Sequence, residues 1–192
     1  FMLMMLILSL SYFNMLFVPG VFSGLFNTVV GLVVNTSTLD VVVSPQELPN
    51  PKSFIDNERT LRAQFETIPG VVGTTRTYLT AGSLSYDKRK DGVYKTVSGQ
   101  MIGIDPVESA ELLTINDYLV KGEPLQEGDT DKIVLSAGIA GGYGLPVPSD
   151  LGGVSVGDKV SVVYGNGVAR TYTVKGIVKI VFGTALSSVY IT

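Results

Sequence analysis

The 192-residue chain contains neither histidine nor cysteine. That removes the usual neutral-pH general base, thiolate nucleophiles, disulfides and the commonest zinc ligands. The nucleophile arrangement still open is a Ser–Lys dyad, in which a lysine amine takes the hydroxyl proton. Ser136 with Lys132 or Lys159 could supply it, although nothing flanking Ser136 marks the strained turn that usually presents such a nucleophile. Asp129 and Asp131, with Glu127 nearby, offer oxygen ligands for Ca²⁺ but lack the full ligand set of a calcium loop, and read instead as a solvated acidic turn. Asp105, Glu108 and Glu111 could share a helical face and act as paired carboxylates. Their position after a strand and beside Pro106 reads as first-turn residues favoured by the helix dipole. Gly138, Gly141, Gly142 and Gly144 form a cluster without the Gly-Lys-Ser/Thr of a phosphate loop, so a turn is the better reading. No catalytic, cofactor-binding or metal-ligating residue is therefore assigned, and no cofactor is expected in this chain.

The elements around these residues divide at Asp40, the first charged side chain. Soluble domains carry about a quarter charged residues, so an uncharged run of that length marks a different solvent. Phe1 to Val21 just supplies the roughly 20 apolar residues that a membrane-spanning helix needs. A secretory signal would call for a positive start, a shorter apolar centre and a small-x-small cleavage site, none of which is evident. Pro19-Gly20 is expected to bend or break the helix. Beyond it Phe22, Leu25, Phe26, Val29, Val30 and Val33 recur at three- and four-residue spacing, opposite Ser23, Gly24, Asn27, Thr28 and Gly31. This is either an amphipathic stalk or interfacial helix, or an extension of the span. Asn35-Thr36-Ser37 matches a glycosylation tripeptide that is common by chance and sits almost on the membrane.

Residues 35–192 read as one domain with room for a full core and two lobes. Its slight acidic excess (17 Asp and Glu against 14 Lys and Arg in the whole chain) argues against nucleic acid. The basic cluster Lys88-Arg89-Lys90, between Asp87 and Asp91, reads as a solvated hairpin tip. Leu39 to Val43 is expected as a strand, Phe54 to Ile68 as a helix capped by Ser53 and stopped by Pro69-Gly70, and Val71 to Thr80 as a second strand, together one βαβ unit. Ser83–Tyr86 and Val93–Ile104 form a hairpin, Glu108–Ile115 a helical turn, and Tyr118–Thr130 a polar loop. Lys132–Leu135 is a strand leading to Ser136 as N-cap of a short helix, Ala137 to Tyr143. Asp158–Tyr164 and Ala169–Ile180 flank Gly165-Asn166-Gly167, where Asn-Gly predicts a type I′ hairpin. Ser187–Thr192 is a last strand.

The order of these parts resembles the extracytoplasmic domain of MacB/FtsX-type ABC transporter permeases. The resemblance is carried by Ile68-Pro69-Gly70-Val71-Val72, by Ile133-Val134-Leu135-Ser136 entering a helix, by Val156-Gly157-Asp158-Lys159-Val160, and by Tyr172-Thr173-Val174-Lys175-Gly176-Ile177. It covers nearly the whole chain, and the order and spacing of the segments carry more than any one of them. It implies an α+β protein: a transmembrane and stalk helix over 1–34, then an extracytoplasmic domain over 35–192. A βαβ-type lobe (about 39–80 plus strands about 169–192) would hold an inserted β-rich lobe (about 81–168). It further implies a permease subunit, itself not an enzyme, that transmits ATP-driven movement for export or lipid and lipoprotein extraction. The implied partners are membrane lipid, a second permease subunit and a cytoplasmic ABC ATPase, with no nucleic acid.

In that scheme Phe22, Leu25, Phe26, Val29, Val30 and Val33 pack on a partner stalk and Pro19-Gly20 is a hinge. The chain opens inside its apolar run and stops on Val189-Tyr190-Ile191-Thr192, which reads as part of a longer protein. The alternatives are a cell-surface binding module on a single anchor and a membrane-tethered Ser–Lys hydrolase.

Overall fold

The computed structural model describes residues 1–34, 39–45, 54–145, 147–180 and 187–192. The uncharged N-terminal segment forms one helix, α1, Met2–Val33. At 1.5 Å rise per residue it is about 48 Å long, against about 30 Å for a bilayer's hydrocarbon core. Pro19 lies inside it and helix continues on both sides, so of the expected bend or break the break does not occur. One proline removes a single backbone bond, and a helix this long keeps its other bonds around the defect. Within the helix Thr28 Oγ1 donates to the Gly24 carbonyl at 2.8 Å, which satisfies its hydroxyl internally. Phe13 and Phe17 stack with ring centroids 5.2 Å apart.

The body is a mixed sheet with short helices. Its strands are β1 (Thr77–Tyr86), β2 (Lys95–Ile104), β3 (Leu119–Gly122), β4 (Lys132–Ser136), β5 (Lys159–Tyr164), β6 (Ala169–Val178) and β7 (Ser188–Ile191). The order is β3-β6-β4-β7-β2-β1-β5, and β5 also pairs with β6. That last pairing closes six strands into a barrel, with β3 lying beside the C-terminal half of β6. The pairs β2–β7 and β4–β6 are parallel, and the others are antiparallel.

Side-chain alternation splits the apolar residues into two cores. Met101, Ile133, Leu135 and Val189 point into the barrel with Leu84 and Val162. Their neighbours Ile102, Val134 and Tyr190 point outward, under a cover made by Leu113, Ile115 and Leu125. Strands β2, β4 and β7 are thus buried on both faces, which explains the unbroken apolar run Ile133-Val134-Leu135.

Several expectations hold. The β1–β2 hairpin pairs from Thr77↔Ile104 to Tyr86↔Lys95, and the Lys88-Arg89-Lys90 tip is exposed. Helix α3 (Pro106–Leu112) follows β2 with Asp105 as its N-cap, and β4 runs into α4 (Ala137–Ala140) with Ser136 as N-cap. The 118–130 loop holds more structure than expected, a 3-10 turn at Ile115–Tyr118 and strand β3. The β5–β6 hairpin forms, but with positive φ at Gly167 and not at Asn166. The Tyr164 and Val168 backbones bond across Gly165-Asn166-Gly167. This is a three-residue loop with glycine in the left-handed position, in place of the type I′ turn.

The βαβ unit does not form among the described residues. Residues 39–45 join no strand, and Val42 is 64 % exposed. Strand β1 starts at Thr77, later than expected, and both its partners are antiparallel. Helix α2 spans Glu58–Phe65 and begins at Asn57, which is left-handed, so Phe54 and Ile68 fall outside it. β-Branched valines favour strand only where a neighbouring strand takes their hydrogen bonds. Strands from both expected lobes share one barrel, so the body is not the two-lobed arrangement anticipated. Ser53 and Asn35-Thr36-Ser37 lie outside the described residues.

This packing predicts that Leu135→Ala, emptying the barrel interior, costs about 2–5 kcal/mol, whereas Val42→Thr stays within about 0.5 kcal/mol. Urea unfolding of the full chain in detergent micelles measures both.

Candidate functional site at the junction of helix and barrel

The stalk residues lie together on α1. Phe22, Leu25, Phe26 and Val30 are exposed, with Phe26 at 69 %, and Val29 is half-buried. Val33 closes the helix, and Pro19 and Gly20 lie within it, one turn before Phe22. A Cβ at Gly20 or Gly24 would meet nothing within 4 Å, so the helix is bare on that side too. Over Met2–Gly31 the helix is long and apolar enough to cross a membrane, and none of its most apolar stretch is buried against protein.

The helix is joined to the barrel through Leu39. Its backbone N–H bonds the Val34 carbonyl at 2.8 Å, and its φ of +54° is left-handed, uncommon for a leucine. Its side chain packs on the second core together with Ile104, Tyr118 and Leu119.

Beside that core lies a buried charge cluster. Asp129, 6 % exposed, takes Lys132 Nζ at 2.7 Å on one carboxylate oxygen and Lys175 Nζ at 2.5 Å on the other. Gln126 N–H also donates to it, while Thr192 Oγ1 donates to the Asp129 carbonyl at 2.8 Å. Burial alone would raise the Asp129 pKa, but the hydrogen bonds from Lys132 and Lys175 outweigh it and hold the carboxyl well below the usual range. The same bond raises the Lys132 pKa. The cluster ties β4, β6 and the chain's last residue to one loop. Of the solvated acidic turn expected at 127–131, Glu127 and Asp131 are exposed, but Asp129 is corrected to a buried ion-pair partner, because two lysines from neighbouring strands converge on it. Gly122, at φ +79°, allows the β3 backbone to pass against the Lys175 carbonyl, where a side chain would collide.

A second network fastens α2. Arg62 pairs with Glu108 at 2.9 Å and with Glu58 at 3.5 Å, and its guanidinium donates to Thr74 Oγ1 and the Thr74 carbonyl. Arg76 bridges Asp105 and Glu58. Asp105 caps α3 through the Val107 and Glu108 N–H groups. Its carboxyl is held below the usual range, first by the Glu108 N–H and then, against a smaller burial effect, by Arg76. The carboxylates at 105 and 108 therefore act as cap and ion-pair partners, the reading that their first-turn position favours.

The other candidates are occupied locally. Ser136 is fully buried and its hydroxyl accepts the Ile139 N–H at 3.3 Å. Lys132 is bound to Asp129, and Lys159 is exposed on β5. Gly141 ends α4 at φ +78°, so the helix stops short of the Tyr143 expected. The loop then folds back, with Leu151 and Val154 N–H groups on the Ile139 and Ala140 carbonyls. Among the described residues no group of three or more carboxylates is arranged to hold a metal ion. Tyr86 Oη donates to Asp158 at 2.7 Å, and burial followed by that carboxylate pushes its hydroxyl up to about 12.

No family model matches this chain, and no curated protein does. Sequence reasoning missed Lys175 as the partner of Asp129, 46 residues away. The available signal was a lysine in the middle of an otherwise apolar strand, Tyr172–Ile177, which needs a buried anion. It also missed Leu39, for which no sequence signal exists.

Two outcomes follow for the Asp129 cluster. The folded carboxyl ionises below its unfolded value of about 3.9, so its stabilisation is full above that pH and is lost as pH falls toward the folded value. Wild-type stability should drop between about pH 5 and 2, and Asp129→Asn should be less stable at neutral pH with a flatter acid limb. Lys175→Met should cost about 1–3 kcal/mol, less than full loss of pairing because Lys132 remains. Denaturant titrations across pH read both.

Proposed function

We propose that this chain is the anchor and outer domain of a membrane-embedded permease subunit of the MacB/FtsX type. In this reading the first part of α1 crosses the bilayer and the barrel stands outside the cytoplasm. The observation that carries it is the union of a bare, uncharged 32-residue helix with a closed mixed barrel. Lipid is the one solvent in which so much exposed apolar surface is stable. The sequence order Pro69-Gly70-Val71-Val72, Ile133–Ser136, Gly157-Asp158-Lys159-Val160 and Val174-Lys175-Gly176-Ile177 supports the family reading.

The work of such a subunit is transmission. ATP hydrolysed by a cytoplasmic ATPase moves α1, and the helix carries that movement to the barrel for export or for extraction of a lipid or lipoprotein. About 20 residues suffice for the span, so the turns from Phe22 to Val33 project beyond it. Phe22, Leu25, Phe26, Val29, Val30 and Val33 then pack on the equivalent stalk of a second permease subunit, with Pro19-Gly20 as the flexing point.

Phe26→Asp or Val29→Asp should uncouple ATPase activity from export while ATP binding persists. The check is transport and ATP hydrolysis by the full assembly reconstituted in liposomes. Wild-type export by either variant would defeat the reading.

A further inference from the structure

We propose that Leu39 is the mechanical lock between α1 and the barrel, a positioning residue that makes the two move as one body. The inference rests on the transmission reading for its purpose, but its geometry stands apart from that reading.

Three features meet at this residue. Its N–H closes onto the Val34 carbonyl at 2.8 Å, next to the last turn of α1. Its side chain packs against the second core, as do those of Ile104, Tyr118 and Leu119. Its backbone is held at φ +54°, a conformation that disfavours leucine and favours glycine or asparagine. A leucine kept in such a conformation is held there by its contacts, the Val34 bond and the side-chain packing together. In this proposal the side chain is a plug in the second core.

The receiving surface suits the role. The core against which Leu39 packs includes Ile102, Val134 and Tyr190, on the outward face of β2, β4 and β7. Those strands present Met101, Ile133, Leu135 and Val189 to the barrel interior one residue away. A push on Leu39 is delivered to strands packed on both sides, and close-packed interiors pass displacement on with little compression. On the other side of Leu39, residues 40–45 join no strand and Val41–Val43 are exposed. Within 39–45 the apolar contact with the second core is made at Leu39.

The test uses the absence of native cysteine. Spin labels at Asn27→Cys on α1 and Glu127→Cys on the barrel surface, in the full chain in lipid nanodiscs, report the helix–barrel distance by pulsed dipolar spectroscopy. Wild type and Leu39→Met should each give one narrow peak. Leu39→Asn keeps a residue suited to positive φ but removes the apolar plug, and should at least double the width of the distribution. Leu39→Gly should do the same while relieving the backbone. A narrow peak in Leu39→Asn and Leu39→Gly overturns the lock. Amide exchange of β5–β6 is followed on the same samples, and if a variant loses that protection Leu39→Ala is read in its place by the same criterion. Flotation with vesicles separates the two ideas. A chain that fails to float defeats the anchoring reading, while the peak width still decides the lock.

Discussion

The structure depends on where the apolar surface of α1 is hidden. Thirty-two residues form a helix with no charged side chain, and its most apolar stretch is not buried against the folded body. In water such a surface would drive aggregation. In a bilayer the same residues are at rest, and the backbone bonds of the helix are all made internally, as hydrocarbon requires. The body lies at the end of that helix. Its charged residues, two ion-pair networks and solvated hairpin tip belong to water. In the proposed reading the lipid-facing part ends before Asp40, the first charged residue.

The barrel has the construction of a stiff object. Closure by β5–β6 leaves six strands without a free barrel edge at that end, and three strands are buried on both faces. Two charge clusters then fix what the sheet does not. Asp129 with Lys132 and Lys175 gathers β4, β6 and the chain's last residue. Arg62 and Arg76 gather α2, α3 and the segment leading into β1. Each joins elements distant in sequence, which is where ion pairs act on position more than on stability.

Much of this was legible in the residues, and the failures have physical causes. Local signals were reliable: the uncharged head, the charged tip between β1 and β2, Asp105-Pro106, Ser136 as a cap, and the glycine-flanked turn before β6. Each is decided by neighbours within a few residues. The βαβ expectation failed because Leu39–Val43 and Val71–Arg76 have strand composition, while strand formation needs a partner that composition does not name. The turn type failed because Asn166 precedes a glycine that alone takes positive φ. The partner of Lys175 and the role of Leu39 were illegible for a further reason. Their roles come from residues brought near by barrel closure, and closure is a property of the whole sheet.

In the proposed reading the chain is a lipid-facing rod joined at one residue to a stiff barrel in water. The most direct measurement is a single-cysteine scan of membrane vesicles with a membrane-impermeant maleimide, since the chain has no cysteine of its own. With substitutions at Leu8, Leu16 and Val42, shielding at 8 and 16 together with full labelling at 42 is the predicted pattern. Equal labelling at all three positions, with the protein recovered from the aqueous fraction and its N-terminal segment intact, would contradict the account.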